Sequence, residues 1–371
     1  MDVLARAQAL EAAGRRVVHM EIGEPDYPPP APVLEAAVSA MRAGATGYTP
    51  ALGLPALREA IAREYAERHA RQVPPEAVAV TAGASAALTL AAALYVEPGD
   101  EFLVADPGYP GYRYFVRLFE GVARPLPVHP EAQFQPAPEE VRASWGRRTR
   151  GLILGSPANP TGSVIAVSHL TRIAELVAER GGVLIVDETY QGLVYESEAS
   201  TALGLPGEVV IVNSFSKYYC MTGWRLGWLV LPPERVREVE KLAQHLYICP
   251  PALAQRGALA AFAPESRRVL EERRREYARR RDRLLPALAR AGLDVPAPPQ
   301  GAFYVYADCS RYAPGRDFAL RLLEEEAVAA TPGVDFGSHR TDRFVRLAYT
   351  RSLAELEEGA ERIERFCARF G

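Results

Sequence analysis

Lysine is nearly absent from this chain: of its 43 basic residues only two, Lys217 and Lys241, are lysines. Arginine has taken every other basic position, so a lysine kept amid that bias points to chemistry that a guanidinium cannot do. The obvious chemistry is covalent, because a Schiff base needs a nitrogen able to shed its proton. Lys241 lies on an amphipathic stretch among Glu238, Glu240 and Gln244 and reads as a surface charge. Lys217 is the candidate nucleophile.

Cysteine is scarce too. The four present (Cys220, Cys249, Cys309, Cys367) have no paired spacing and no metal-ligand spacing to the six histidines, which argues against a disulfide framework or a zinc site. No apolar run reaches the ~18 residues of a membrane span. The longest, Ala84–Val96, reads as a core helix. A net charge of −3 gives no sign of affinity for nucleic acid or membrane surfaces. The first residues lack a charged segment followed by an apolar core, so no secretory signal and a cytoplasmic location are expected.

What is present fills 371 residues, enough for two domains around a sizeable core. From residue 78 onward, strand, turn and helix patterns alternate. Candidate strands are Val78–Thr81, Glu101–Ala105, Ala123–Val128, Gly151–Leu154, Val183–Val186, Val209–Val212 and Leu226–Leu231. These predict a mostly parallel, seven-stranded, doubly wound α/β sheet. About a dozen residues separate the last two strands, too few for a helical crossover, so the last should run antiparallel. Further strands at 302–307 and 344–348, with helices at 317–327 and 353–370, form a smaller α/β unit. The expected division is a large domain over 42–275 and a small one formed by both chain ends, 1–41 plus 276–371. The arginine-loaded helix 265–291 carries interspersed glutamates and reads as a salt-bridged, solvated helix rather than a nucleic-acid patch.

Chemistry-bearing residues cluster just beyond the candidate strands, the edge where open α/β sheets bind ligands. Ala82-Gly83-Ala84-Ser85 opens a helix after the first strand, an anion site by geometry. Tyr109 follows the second strand, and Asn159 is bracketed by prolines after the fourth. Asp187 ends the all-apolar fifth strand, where a carboxylate must be paired. Ser214, Ser216, Lys217 and Arg225 occupy the loop after the sixth. Arg346 sits in an otherwise apolar strand and needs an anion.

Ser-Phe-Ser-Lys at 214–217 followed by Met-Thr-Gly-Trp-Arg-Leu-Gly at 221–227 resembles the cofactor-lysine signature of the class I/II pyridoxal-phosphate aminotransferases, fold type I, the aspartate aminotransferase superfamily. Cys220 departs from the small or aliphatic residue usual there. Gly23-Glu-Pro-Asp, the Tyr48 segment and the Asn159-Pro-Thr-Gly turn follow the same family's order. The resemblance implies that Lys217 carries pyridoxal 5'-phosphate as an internal aldimine and shuttles a proton, with Asp187 on the pyridine nitrogen. It assigns Ala84, Ser85, Ser214 and Arg225 to the phosphate, joined by Tyr48 of a neighbouring subunit, and counts Ser216 among the cofactor-binding residues. Tyr109 would stack on the ring, Asn159 and Tyr190 would reach the 3' oxygen, and Gly23, Asn159 and Arg346 would hold the substrate.

The implied protein is a homodimer with shared active sites acting on an L-amino acid and a 2-oxo acid. The same residues would serve a β C–S lyase. A non-catalytic cofactor-binding sensor domain is disfavoured, because no DNA-binding domain precedes residue 20. Ser85 stands where some acidic-substrate relatives place a lysine, so neutral or aromatic amino acids are the expected donors. Arg15 or Arg16 would be the alternative source of a second cation.

Overall fold

The computed structural model describes residues 2–196 and 200–370. Its strands in chain order are β1 (Val18–His19), β2 (Val78–Thr81), β3 (Glu101–Asp106), β4 (Val122–Pro127), β5 (Thr149–Gly155), β6 (Val183–Asp187), β7 (Glu208–Ser214), β8 (Gly227–Val230), β9 (Tyr304–Asp308), β10 (Val328–Ala329), β11 (Thr331–Pro332) and β12 (Phe344–Ala348).

Among the described residues β2 to β8 form one seven-stranded sheet in the order β2-β8-β7-β6-β5-β3-β4. Its β3–β7 neighbours pair in parallel, while β8 is antiparallel to both β2 and β7. The short connection before β8 thus has the consequence expected of it. Helices cover both faces, which is why these strands are apolar throughout rather than alternating. Successive residues still divide between the layers: Leu152, Leu154, Leu184 and Val186 pack into one core, Ile153, Val183 and Ile185 into the other.

A second sheet, β11-β12-β9, is antiparallel and packs into the first of those cores through Tyr304, Val305, Val345 and Leu347. Strand β9 starts two residues later than the sequence pattern predicts, because Ala302 takes a left-handed φ of 57° that no regular strand accommodates. The amino-terminal segment joins in by pairing β1 with β10 in parallel. The arginine-rich helix spans Pro264–Arg290 and is laced with ion pairs, among them Arg274–Glu271, Arg280–Asp26 and Arg267–Glu64. No described helix is long and apolar enough to cross a membrane, and no described cluster of His, Cys, Asp and Glu could hold a metal ion.

Candidate active site

Five strands of the large sheet release their polar residues at one edge, beyond their carboxyl ends. Strand β2 leads into the helix Gly83–Tyr95, β3 into Tyr109, β5 into Asn159, β6 ends in Asp187, and β7 ends in Ser214 just before Lys217. With Gly23 from the amino-terminal segment and Arg346 from β12, these side chains line one cavity of about 330 Å³. Every candidate residue named from the sequence lines it except Tyr48, which is 82% exposed on the surface.

The amine of Lys217 donates to the Gly23 carbonyl oxygen at 2.6 Å. Burial, reinforced by the positive charges of Arg346 and Arg225 and opposed by Glu24 and Asp187, pulls its pKa down to about 8. A lysine so placed holds an appreciable neutral fraction near physiological pH, the form in which it is nucleophilic and can accept a proton.

Asp187 receives the Tyr112 hydroxyl on Oδ2 at 2.9 Å and the Thr189 N–H on Oδ1 at 3.0 Å. Burial raises its pKa in spite of those bonds and of the nearby Lys217 charge. The carboxylate is therefore short of a cation and faces a cavity able to supply one.

Also in the lining, the first turn of the helix Gly83–Tyr95 presents the N–H groups of Ala84 and Ser85, which an α-helix leaves without internal partners. Gly83 adopts a left-handed φ of 84°, and a Cβ there would lie 2.5 Å from Nη2 of Arg225. Arg225 itself takes a φ of 51°, a costly conformation outside glycine, and bonds the Thr222 carbonyl at 2.9 Å. The Ser214 hydroxyl donates to Ser216 Oγ at 2.9 Å beside them. Backbone N–H groups, one guanidinium and two hydroxyls thus converge on a single anion-sized space.

Arg346 is gripped on its fork: Nη1 donates to Asn159 Oδ1 at 2.9 Å and Nη2 to the Glu21 carbonyl at 2.6 Å. Its guanidinium lies 4.2 Å from the ring centroid of Tyr304 and 4.8 Å from that of Phe336, and its Nε is buried without a partner. The Tyr190 hydroxyl pairs with that of Tyr304 at 2.8 Å.

Thr222, in the loop motif 221–227, also lines the cavity, and so do Tyr112, Thr189 and Tyr304, which were missed in the sequence. Tyr112 carried a legible signal, since Pro-Gly-Tyr occurs twice in succession at 107–112. Tyr304 carried none, because nothing local says which neighbours β9 has.

The chain has a doubly wound α/β fold whose cavity sets one buried amine beside a cradle of N–H groups, a guanidinium and hydroxyls. The chain belongs to the class I and II aminotransferase family, whose profile matches residues 15–363. It is 40% identical over 366 residues to the valine–pyruvate aminotransferase of Mycobacterium tuberculosis, covering 98% of this chain and 94% of that protein. The aspartate/prephenate aminotransferase of Thermus thermophilus is 37% identical over 370 residues, covering 99% and 95%. Among solved structures, an aminotransferase from Mycobacterium tuberculosis superposes with a TM-score of 0.96 at 39% identity, over 100% of this chain and 96% of that one. Aspartate aminotransferase from Thermus thermophilus with maleate gives 0.93 at 37% identity, over 98% and 95%.

The protein is a transaminase, and pyridoxal phosphate is the cofactor of its family. The residues present fit that group. The cradle at Gly83 and Arg225 suits a phosphate, and the buried Asp187 carboxylate suits a cationic ring nitrogen.

Proposed function

We propose that this enzyme moves the amino group of a neutral L-amino acid, aliphatic or aromatic, to a 2-oxo acid, and works as a cytoplasmic homodimer with Lys217 as the covalent attachment point of its cofactor. When bound, pyridoxal phosphate supplies a carbonyl that accepts the amino group and an electron-withdrawing ring. The protein's part is to hold, orient and move protons. Ala84, Ser85, Ser214, Ser216 and Arg225 hold the phosphate, Asp187 faces the ring nitrogen, and Tyr109 covers the ring. Asn159 and Tyr190 offer donors to the 3' oxygen: with Asn159 Oδ1 engaged by Arg346, its amide N–H groups remain free to donate.

Arg346 takes the substrate α-carboxylate, helped by the partnerless Nε and by the backbone at Gly23. Lys217, with a pKa of about 8, accepts the proton leaving Cα and returns it.

The observation that carries the substrate class is the charge inventory of the cavity. Its cationic side chains among the described residues are Lys217, Arg225 and Arg346, all given roles above. Arg15 is bonded to the Glu324 carbonyl and Arg16 paired with Glu358, so neither faces the substrate in this chain. Glu24, held by the Thr222 hydroxyl, adds negative charge nearby. A distal carboxylate finds no partner there, whereas an apolar side chain needs none. Two relatives bracket the choice, one named for valine and pyruvate and one for aspartate and prephenate.

Dimerisation is supported by the exposed Tyr48 and by an uncovered apolar stripe, Leu34, Val38 and Met41, along the helix Ala31–Arg42. Four unpaired cysteines suit a reducing compartment. The long helix Pro264–Arg290 crosses the proposed domain boundary between residues 275 and 276 and would carry one domain on the other.

The test is a panel of amino donors (valine, alanine, leucine, phenylalanine, aspartate, glutamate) with a common oxo-acid acceptor, scored for amino transfer and separately for ammonia release. kcat/KM for the best neutral donor is expected to exceed that for aspartate by roughly 10²-fold, the cost of leaving a charged group unpaired. A preference for aspartate would overturn the substrate assignment.

A further inference from the structure

Asp106 ends β3, three residues before Tyr109, and is buried although it does not line the cavity. Its carboxylate is spent on a distant turn. Oδ1 accepts the N–H groups of Ser338 at 2.9 Å and His339 at 3.2 Å, and Oδ2 accepts the Ser338 hydroxyl at 2.9 Å. One step along, the Gly108 N–H donates to the Phe336 carbonyl at 3.0 Å. The approach is so close that a Cβ at Gly337 would fall 1.8 Å from Asp106 Oδ1, so the turn tolerates only glycine there.

This turn carries Phe336, whose ring centroid lies 4.8 Å from the Arg346 guanidinium, with that of Tyr304 at 4.2 Å. The segment that sets Tyr109 at the cavity is therefore fastened, through one buried carboxylate, to the turn that backs Arg346. Charge-assisted bonds from N–H and O–H donors are short and directional, which suits a carboxylate used as a clamp.

We propose that Asp106 is a positioning residue for substrate binding: by holding the Phe336 turn against the β3 end it fixes the Arg346 fork relative to the Tyr109 wall, and so sets affinity for the substrate α-carboxylate. This rests on the reading of Arg346 as the carboxylate ligand. Asp106 touches neither substrate nor cofactor, so its removal acts on binding of the amino acid and not on cofactor binding or on the chemical step.

The experiment compares wild-type holoenzyme with Asp106→Asn, which points an N–H₂ at donors, and Ser338→Ala, which removes one donor only. Three quantities are read: KM and kcat with the best donor of the panel, Kd for a 2-methyl amino acid followed by cofactor absorbance, and affinity of the apoprotein for pyridoxal phosphate. Asp106→Asn is expected to raise KM and the analogue's Kd by about 10-fold, and Ser338→Ala by about 3-fold, each with kcat within twofold and cofactor affinity unchanged. Unchanged KM, a loss of kcat alone, or a parallel loss of cofactor affinity would overturn the proposal. If Asp106→Asn does not fold, Ser338→Ala decides by the same criteria. A wild type that transaminates no donor would sink the underlying reading, whereas an active wild type with unshifted variants sinks only the role of Asp106.

Discussion

Arg346 Nη1 donates to Asn159 Oδ1 at 2.9 Å across 187 residues of sequence. This bond joins the residue proposed for the substrate carboxylate to one proposed for the cofactor's 3' oxygen, and it orients both: the arginine fork loses a rotation and the asparagine amide presents its N–H groups. The two side chains are thus held together before any ligand arrives.

Because the two side chains act as a unit, their losses should not add. Arg346→Lys keeps the charge and loses the fork, and is expected to lower kcat/KM on the order of 10²-fold. Asn159→Ala should cost about 10-fold or more, and the double variant less than the product of the two. Steady-state kinetics on the four proteins checks this, and strict additivity would show the pair to be uncoupled.

The lowered pKa of Lys217 gives a prediction for the apoprotein. Capture of pyridoxal phosphate, trapped by borohydride and located by peptide mapping, should rise with pH around a midpoint near 8, because the neutral amine is the reactive form. Removing a nearby positive charge with Arg346→Leu should move that midpoint upward, since burial is the first cause of the shift and Arg346 the second. Label on Lys241 instead, or a midpoint near 10, would contradict the assignment.

Glu188 is buried next to Asp187, accepts the Ala202 N–H at 2.7 Å and the Thr201 hydroxyl at 2.9 Å, and burial pushes its carboxyl pKa from 4.5 up to about 8. A carboxyl raised on folding contributes stability that is present below its unfolded pKa and is lost as pH climbs through the folded value. Thermal midpoints of the wild type are therefore expected to fall between about pH 4.5 and 8, and Glu188→Gln to flatten that fall. Parallel slopes would refute the reading of Glu188 as a protonated buried acid.

Gly23 and Tyr304 fit as a pair. A Cβ on Gly23 would lie 2.2 Å from the Tyr304 hydroxyl oxygen but 3.2 Å from its Cζ. Gly23→Ala should destabilise by about 1–3 kcal/mol and raise KM, as overpacking at a rigid wall does. Adding Tyr304→Phe should recover most of the stability, at the loss of the hydroxyl pair with Tyr190. Calorimetry of the single and double variants gives the answer, and no rescue would mean that the clash is not with the hydroxyl.

The sequence by itself determined the seven apolar strands, the antiparallel turn-back of β8, and the residues released at the strand ends, because strand period, turn chemistry and a lysine at a strand end are local properties. It read the turn at 82–85 as opening a helix, and the helix runs Gly83–Tyr95 with Ala84 and Ser85 in its first turn. The tertiary structure alone decided which released residues meet. Tyr112 with Asp187, Tyr304 with Tyr190, Arg346 with Asn159 and Lys217 with Gly23 lie 75 to 194 residues apart, and alternation along a strand says which face a side chain takes but not what stands opposite. The lowered pKa of Lys217 belongs to the same category, since it arises from burial and from charges that only folding brings near.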